Sequence, residues 1–189
     1  ASSAASDVYK RQQKISFFEK GKKIHALANY YLRDGNISKL EKVLNETEKK
    51  IWQSLKNNEY FQKNYVNSEY NLSCRIGNYW IGGRLDALMK DDNNYYILDY
   101  KTGSIPQKPE YDYQTLVYLL CTAQMYGKNL KFVYIDLHNK KNYVIKYSDE
   151  AEYKKYITEI CDNIANAQFT MEIEHSNKCN LCEYKKICI

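Results

Sequence analysis

Long apolar runs are missing from this chain of 189 residues. A membrane-spanning helix needs about 18 or more consecutive apolar residues, and no stretch reaches that length, so we expect no contact with a membrane. The polar N-terminus ASSAASDVYKRQQ has no apolar core of the kind that a secretion signal carries. We expect residues 1–13 to be a non-native or disordered lead, with part of the natural N-terminus missing.

Cysteine is also scarce, and six residues cannot form the dense disulfide framework of a small secreted domain. Three of the six fall in the last eleven positions, which favours a metal or cluster site in a reducing, cytoplasmic environment. Hydrophobic residues make up 44% and charged residues 27% of the chain, as in a folded globular domain. We therefore expect one domain over residues 14–189. The formal net charge of +5 favours a polyanionic partner only weakly.

The spacing of apolar residues predicts the elements of an α/β fold. Helical spacing runs from residue 14 to Arg33, and Gly35 follows as a stop. The Ser-x-x-Glu sequence at Ser38 predicts a capped second helix that runs to about Lys56. The remaining elements are two antiparallel strands within 65–90 with a turn at IGN, a strand at 95–101, a helix at 110–127, a hairpin of 131–138 and 142–147, and a helix at 149–169. This order predicts a mixed central β-sheet flanked by helices.

The sequence ILDYKTG, residues 97–103, places two charged side chains two positions apart at the end of a strand. Because strand side chains alternate between faces, Asp99 and Lys101 project from the same face. An exposed ion pair of little energetic value would explain them, but the predicted hairpin through residues 91–94 also brings Asp86 beside Asp99. Neighbouring carboxylates repel each other, and a hard divalent ion such as Mg²⁺ or Mn²⁺ offsets that repulsion. Lys101 beside the ion could orient a water or stabilise charge on a phosphate.

Three segments taken together, GGRLDAL, YYILDYKTG and YQTLVY, resemble the motifs of the RecB-type branch of the PD-(D/E)XK nuclease superfamily. The resemblance implies a restriction-endonuclease-like fold and metal-dependent cleavage of DNA. It also implies a set of catalytic residues, of which the two aspartates bind metal: Asp86, Asp99, Lys101, Gln114 and Tyr118. Gln114 and Tyr118 lie one helical turn apart, and the alternative for them is the polar edge of an ordinary amphipathic helix.

The segment GKKIHALANYYL resembles the family's helix with Gly-x-x-x-His, which makes His25 a further metal contact. The resemblance also implies that the backbone carbonyl of Tyr100 touches the metal, while the ring of Tyr100 points away from Asp99 into the core. Glu69 resembles the acid that lies one strand before the first catalytic aspartate. Taken singly, His25 would be an ordinary helix histidine and Glu69 an exposed strand glutamate.

The C-terminal residues 175–189 hold three closely spaced cysteines, Cys179, Cys182 and Cys188. Such spacing is hard to explain by core packing, so it predicts a cysteine-rich staple around a metal or cluster. The resemblance implies an iron–sulfur (4Fe–4S) cluster, whose fourth thiolate would come from upstream of the histidine helix, but this chain has no cysteine before Cys74. The alternative is a Zn²⁺ site completed by His175. The other three cysteines are predicted to pack as small apolar residues: Cys74, Cys121 and Cys161.

We expect the chain to be a metal-dependent deoxyribonuclease that hydrolyses DNA phosphodiester bonds with Mg²⁺ or Mn²⁺. The resemblance implies an exonuclease that acts on DNA ends or single strands, in CRISPR adaptation or in recombination and repair. A CRISPR integrase or a helicase subunit would then be its protein partner. Two other classes stay open: a catalytically inactive nucleic-acid-binding scaffold of a larger complex, and a zinc-stapled interaction domain whose aspartates are surface charges.

Overall fold

The computed structural model describes residues 21–167 of the chain. Helical residues 21–34 form α1. The elements that follow are α2 (Ser38–Glu41), α3 (Glu46–Lys56), β1 (Asn64–Ile76), β2 (Tyr79–Lys90), β3 (Tyr95–Lys101), a 3₁₀ turn (Pro109–Tyr111), α4 (Tyr113–Tyr126), β4 (Leu130–Asp136), β5 (Lys141–Lys146) and α5 (Glu150–Ala165). Between residues 21 and 167, no helix is long and apolar enough to cross a membrane.

The five strands form one sheet in the order β1-β2-β3-β4-β5. A turn at Gly77, whose φ is +56°, joins β1 to β2, and residues 91–94 join β2 to β3, so both of these pairs are antiparallel. The β3–β4 pair is parallel because α4 carries the chain back across the sheet, and β5 returns antiparallel to β4. This mixed sheet with flanking helices confirms the predicted fold class.

Helices cover both faces of the sheet, and side-chain alternation along the strands divides the core accordingly. On one face, α1 and α3 pack against the sheet through Ile24, Leu27, Trp52 and Leu55. On the other face, α4 and α5 pack through Leu116, Leu119, Tyr153 and Ile157. Strand β3 is buried on both sides, which makes the end of β3 a position where polar side chains can be held with little freedom.

The predicted helix from Ser38 to Lys56 is wrong in its first half. The helix at Ser38 is a single turn whose N-cap residue, Ile37, makes no side-chain capping hydrogen bond, and the Ser38 N–H donates to Oδ1 of Asn36 at 3.4 Å. The long helix begins at Glu46, because Asn45 accepts a hydrogen bond from the Glu48 N–H while the Glu48 carboxylate accepts one from the Asn45 N–H, each at 2.9 Å. This reciprocal capping box satisfies the N–H groups of Asn45 and Glu48 at the start of the long helix.

Two other helix boundaries also differ from the predicted ones. The last helix ends at Ala165, four residues before the predicted end, where the side-chain amide of Asn166 donates to the carbonyl of Asp162 at 2.9 Å. Helix α4 begins three residues later than predicted, at Tyr113, because Asp112 caps it. The predicted lead 1–13 and the cysteine-rich staple 175–189 lie outside the described residues, so they and the domain limits 14–189 stay predictions.

Candidate active site

The two aspartates lie where the β2–β3 ladder ends. Ala87 and Leu98 are the last paired residues, and the continuing register sets Asp86 opposite Asp99. The ladder stops there because Oδ2 of Asp86 accepts a hydrogen bond from the Tyr100 N–H at 2.9 Å. A side-chain carboxylate thus replaces a backbone partner of β3, and the hairpin brings the two acids together as predicted.

Glu69 lies opposite Asp86 on β1, at a gap in the β1–β2 ladder. Its φ of +48° is in the left-handed region, which costs a residue with a Cβ about 1–2 kcal/mol. The alternation of β2 changes at the same level, since Leu85 packs on the α4 side and Ala87 on the α1 side. Asp86 lies at this change of face, so its carboxylate can reach a partner on α1.

That partner is His25. Its Nδ1 lies 3.1 Å from Oδ1 of Asp86, and its Nε2 lies 2.9 Å from the carbonyl oxygen of Tyr100. Both neighbours are acceptors, and a neutral imidazole can donate to only one of them. Burial lowers the pKa of His25, but the hydrogen bond and charge of Asp86, with smaller contributions from Tyr100 and Asp99, raise it above its usual value. The net effect is to stabilise the protonated imidazole relative to that of an ordinary histidine.

Asp99 and Lys101 form an ion pair on one face of β3, as the alternation predicts. Asp99 is only 2% exposed, and Nζ of Lys101 lies 2.9 Å from its Oδ1 and 3.1 Å from its Oδ2. Gln114, in the first turn of α4, donates from Nε2 to Oδ2 of Asp99 at 2.6 Å and accepts from Lys101 at 3.4 Å. Burial and the charge of Asp86 raise the pKa of Asp99 to about 6, although Lys101 opposes the rise.

Three side chains from three elements form a group that could hold a metal ion: His25, Glu69 and Asp86, with one ligand atom of each within 4.8 Å of the others. Asp99 borders this group. Its Oδ1 is buried and lies 2.9 Å from Nζ of Lys101 in the ion pair, and no donor of residues 21–167 meets it in hydrogen-bond geometry. Carboxylates with one imidazole suit Mn²⁺, and they suit Mg²⁺ less well. The donor set fits a divalent ion, with Oδ1 of Asp99 as a fourth candidate ligand.

Tyr100 and Tyr118 support the site from the core. The Tyr100 ring is buried, as predicted, and its carbonyl oxygen lies against His25. The Tyr118 ring packs on Gly83, where a Cβ would lie only 2.4 Å from Cε1 of the ring. Its hydroxyl donates to the carbonyl of Arg84 at 2.7 Å. Tyr118 therefore holds β2 against α4 two residues before Asp86.

An open cleft of about 750 Å³ is lined by His25, Glu69, Asp86 and Lys101, and Asp99 and Gln114 lie behind this lining. One wall is a stripe of α1 in which residues recur every three or four positions, and it consists of Lys22, His25, Ala26, Asn29, Tyr30 and Arg33. The ring of Tyr30 is 52% exposed, and Arg33 is also exposed. On the opposite wall, Arg84 contacts Glu69 through an ion pair of 3.0 Å. The candidate metal ligands thus open onto a surface with cations and an aromatic ring.

Sequence reasoning missed four polar residues at the site: Arg84, Asp112, Thr115 and Tyr134. Asp112 could have been found as the N-cap of α4, because it accepts from the N–H groups of the first turn at 3.1 and 3.4 Å. Tyr134 lies opposite Asp99 in the parallel pair. No local pattern encodes that register, since α4 separates the two strands.

The predicted cysteine site cannot be located in this structure, because Cys179, Cys182, Cys188 and His175 lie outside residues 21–167. The prediction for the remaining cysteines is confirmed at two positions, since Cys74 and Cys121 are buried in the core on the α4 side. Cys161 is partly buried and packs against the same cluster.

The chain is similar to known proteins in sequence and in fold. CRISPR-associated exonuclease Cas4 of Francisella tularensis subsp. novicida is 27% identical over 147 residues, which is 76% of this chain and 74% of that protein. A crystal structure of a candidate exonuclease from Eubacterium rectale superposes with a TM-score of 0.49 at 15% identity, over 89% of this chain and 74% of that one. The family model for the PD-(D/E)XK nucleases matches residues 19–189. This chain therefore belongs to the PD-(D/E)XK nuclease superfamily.

Proposed function

We propose that this chain is a Mg²⁺- or Mn²⁺-dependent deoxyribonuclease that degrades DNA from ends or as single strands. The supporting observation is the convergence of two acids, a lysine and a glutamine from β2, β3 and α4 beside the His25–Glu69–Asp86 group, which itself lines an open cleft. A buried acid with a raised pKa beside a cleft is an expected mark of a functional site. A surface ion pair would need neither the burial nor the second acid.

The metal in this proposal would be held by Asp86 and Asp99 together with His25 and Glu69. When bound, a divalent ion lowers the pKa of a water and offsets negative charge on the scissile phosphate. To serve as ligands, His25 must give up a proton and Asp99 must be ionised, so protons and the metal ion compete for the site.

Lys101 would position the attacking water. Its ammonium has three N–H donors, of which one is directed at Asp99 and one at Gln114. Nζ also lies 2.9 Å from Oδ1 of Asp99, so a water or a phosphate oxygen would share these donors with the neighbouring side chains. In the reaction, the water loses a proton to solvent and its oxygen forms a bond to phosphorus, while the bond to the leaving oxygen breaks in line and that oxygen takes up a proton from solvent.

DNA would lie along the α1 wall of the cleft. Lys22 and Arg33 are eleven residues apart, which corresponds to about 16 Å along a helix axis, and Tyr30 lies between them. Cations at these positions suit backbone phosphates, while an exposed aromatic ring suits an unpaired base. Such contacts favour a single strand, do not read sequence and weaken as salt is added.

The biological setting is part of the same proposal. The curated relative is named a CRISPR-associated exonuclease, and we propose that this chain likewise trims DNA for CRISPR adaptation. A role in recombination and repair is the alternative. Its protein partner would be an integrase in the first case and a helicase subunit in the second. The sparse, locally clustered cysteines favour a cytoplasmic location.

The cysteine tail forms a separate part of the proposal. We propose that Cys179, Cys182 and Cys188 bind an iron–sulfur cluster or, with His175, Zn²⁺. Iron, sulfide and zinc analysis of the purified full chain would decide between them. An absorbance band near 400 nm with matching iron and sulfide supports the cluster, and stoichiometric zinc without iron supports the alternative. A chain that contains none of the three would exclude both.

The decisive experiment follows degradation of an end-labelled single-stranded DNA in Mn²⁺. Asp99→Ala and Lys101→Ala are compared with the wild type and with Asp92→Ala, which removes an exposed aspartate of the β2–β3 turn. We expect both site variants to lose at least about 100-fold in rate, as when a group that stabilises the transition state is removed. The Asp92→Ala control should cleave like the wild type.

Three outcomes would contradict the proposal. Equal cleavage by all four chains would indicate a contaminating nuclease. No cleavage by any of them, in folded protein that still binds DNA, would indicate the inactive scaffold. A covalently closed circle of the same single strand tests the requirement for an end: if it is cut as fast as the linear strand, the exonuclease assignment is wrong.

A further inference from the structure

We propose that Tyr134 is a positioning residue for the catalytic pair Lys101 and Gln114, an inference that rests on the function proposed above. Tyr134 does not line the cleft, and among the candidate metal ligands it neighbours Asp99, its partner on β3. One end of its side chain contacts the cap of α4, and its ring lies beneath the ammonium of Lys101. The two catalytic groups come from different elements, and Tyr134 contacts both of those elements.

The position of Tyr134 follows from the parallel pairing of β3 and β4. It is the partner of Asp99 in that register, it is fully buried, and it packs in the cluster on the α4 side. Because paired residues on adjacent strands share a face, its ring extends toward α4 beside the acid. Burial raises the pKa of Tyr134 well above its ordinary value, so the hydroxyl keeps its proton and can act as a donor.

The hydroxyl of Tyr134 ties the first turn of α4 to β4. It donates to Oδ2 of Asp112 at 3.0 Å. Since its proton is used there, the hydroxyl of Thr115, at 2.8 Å, is the donor in the second contact. The same Oδ2 of Asp112 accepts from the backbone N–H of Gln114 at 3.1 Å. Two hydrogen bonds that share Oδ2 of Asp112 therefore connect the backbone of Gln114 to Tyr134 on β4.

This anchoring matters because the side chain of Gln114 makes close contacts with the reacting face. Its Nε2 is 2.6 Å from Asp99, and its Oε1 is 3.4 Å from Lys101. A shift of the first turn by a few tenths of an ångström would lengthen both contacts. Functional groups need supporting contacts of this kind to stay within about 0.5 Å of a productive geometry.

The ring of Tyr134 contacts the ammonium of Lys101, the second catalytic group. Nζ of Lys101 lies 5.6 Å from the ring centroid, within the range of a cation–π attraction. Asp99, Gln114 and the ring thus surround the ammonium. Removal of the hydroxyl alone leaves the ring in place, so the two contributions of Tyr134 can be separated experimentally.

The test compares Tyr134→Phe with Tyr153→Phe in the full chain. Tyr153 is a matched control because it is 7% exposed, lies in the same side of the core, and has a hydroxyl 2.7 Å from Ser148. Each substitution removes one buried hydroxyl, so we expect both to lower Tm by about 2–4 °C. Only Tyr134→Phe should lower kcat, by about 10-fold, with KM for DNA unchanged within twofold.

A double-mutant comparison asks whether Tyr134 acts through Gln114. In a Gln114→Ala background, Tyr134→Phe should have little further effect on kcat, because the group that it positions is gone. A full 10-fold loss in that background would overturn the proposal. Equal kcat values for Tyr134→Phe and Tyr153→Phe would also overturn it, since the hydroxyl would then be a stabilising group only.

A readout without activity separates this proposal from the proposed function. In protein labelled with ¹⁵N-glutamine, the side-chain amide of Gln114 is assigned by its absence from Gln114→Ala. We expect Tyr134→Phe to move this resonance toward the position of a solvent-exposed glutamine amide, and Tyr153→Phe to leave it in place. If the wild type cleaves no DNA, the proposed function fails while this measurement still supports or refutes the positioning. An unmoved Gln114 resonance in Tyr134→Phe would refute it.

Discussion

Replacement of Asp99 by asparagine should make the metal-free protein more stable at neutral pH while removing its activity. The carboxylate is buried, faces the charge of Asp86 and has a pKa raised to about 6. In the unfolded chain the same group would titrate near its ordinary 3.8. At neutral pH, folding therefore forces a charge into surroundings that disfavour it, and a neutral amide of the same shape avoids that cost.

The size of the effect follows from the two pKa values. Each pKa unit corresponds to about 1.36 kcal/mol, so the rise from 3.8 to about 6 corresponds to an upper limit of about 3 kcal/mol. An amide cannot reproduce every contact of the carboxylate with Lys101 and Gln114, so we expect a gain of about 1–2 kcal/mol. For a chain of this length, that gain corresponds to a rise in Tm of about 2–8 °C.

The difference in stability between the wild type and Asp99→Asn should depend on pH. A group whose folded pKa lies above its unfolded pKa contributes stability below the unfolded value and loses it as pH rises through the folded value. The wild type therefore carries its deficit above pH 6 and loses it below pH 4, where Asp99 is protonated in both states. The advantage of Asp99→Asn should be full at pH 7.5 and small near pH 4.

The assay is thermal or urea denaturation in EDTA at both pH values, with the exposed Asp92→Asn as the control that should change nothing. Added Mn²⁺ should stabilise the wild type and have much less effect on Asp99→Asn, because one candidate ligand is lost. The reasoning is refuted if Asp99→Asn is less stable than the wild type in EDTA at pH 7.5. An advantage of equal size at both pH values would also refute it, since the raised pKa would not be its cause.

Three further expectations concern metal, packing and DNA. Mn²⁺ should bind more weakly as pH falls below about 6, measured by calorimetry, because Asp99 and the imidazole of the site must lose protons first; an affinity that is flat from pH 5 to 8 would contradict this. Gly83→Ala should destabilise the protein by about 1–3 kcal/mol through overpacking, whereas Gly103→Ala, where a Cβ would meet nothing within 4 Å, should not; equal denaturation midpoints would contradict the packing argument. Arg33→Ala should lower the slope of log affinity for single-stranded DNA against log salt by about 0.7, while Arg75→Ala, on the exposed turn end of β1, should leave that slope unchanged; equal slopes for both variants would exclude α1 as the DNA-binding wall.

Much of the sheet could be predicted because successive strands are joined by short turns with recognisable residues. The turns at IGN and DDNN set the register of β1, β2 and β3, and that register brings Asp86 to Asp99. Alternation then places Lys101 on the same face as Asp99. These are local relations, and local sequence encodes them.

The features that could not be predicted depend on contacts between residues far apart in sequence. The partner of Asp99 on β4 is Tyr134, and α4 separates the two in sequence, so neither the parallel register nor the hydroxyl contact with Asp112 could be predicted. The left-handed backbone at Glu69 depends on its place between β2 and α1, since glutamate has no intrinsic preference for that conformation. At Ser38, a capping pattern existed in the sequence, but the complete box at Asn45 set where the long helix begins.

The contact between Gly83 and Tyr118 has a consequence for how sequences of this kind can change over time. The ring occupies the space that any side chain at position 83 would need, so a larger residue at position 83 is best accommodated with a smaller one at position 118. A relative with alanine in place of Gly83 should carry a smaller residue in place of Tyr118, and a survey of related sequences would show whether such pairs occur together. If substitutions at the two positions proved independent, this contact would not constrain the evolution of the sequence. If they are linked, β2 and α4 constrain each other's sequence. They do so across a long interval, since 34 positions separate Tyr118 from Arg84, the residue after Gly83 whose carbonyl accepts its hydroxyl hydrogen bond.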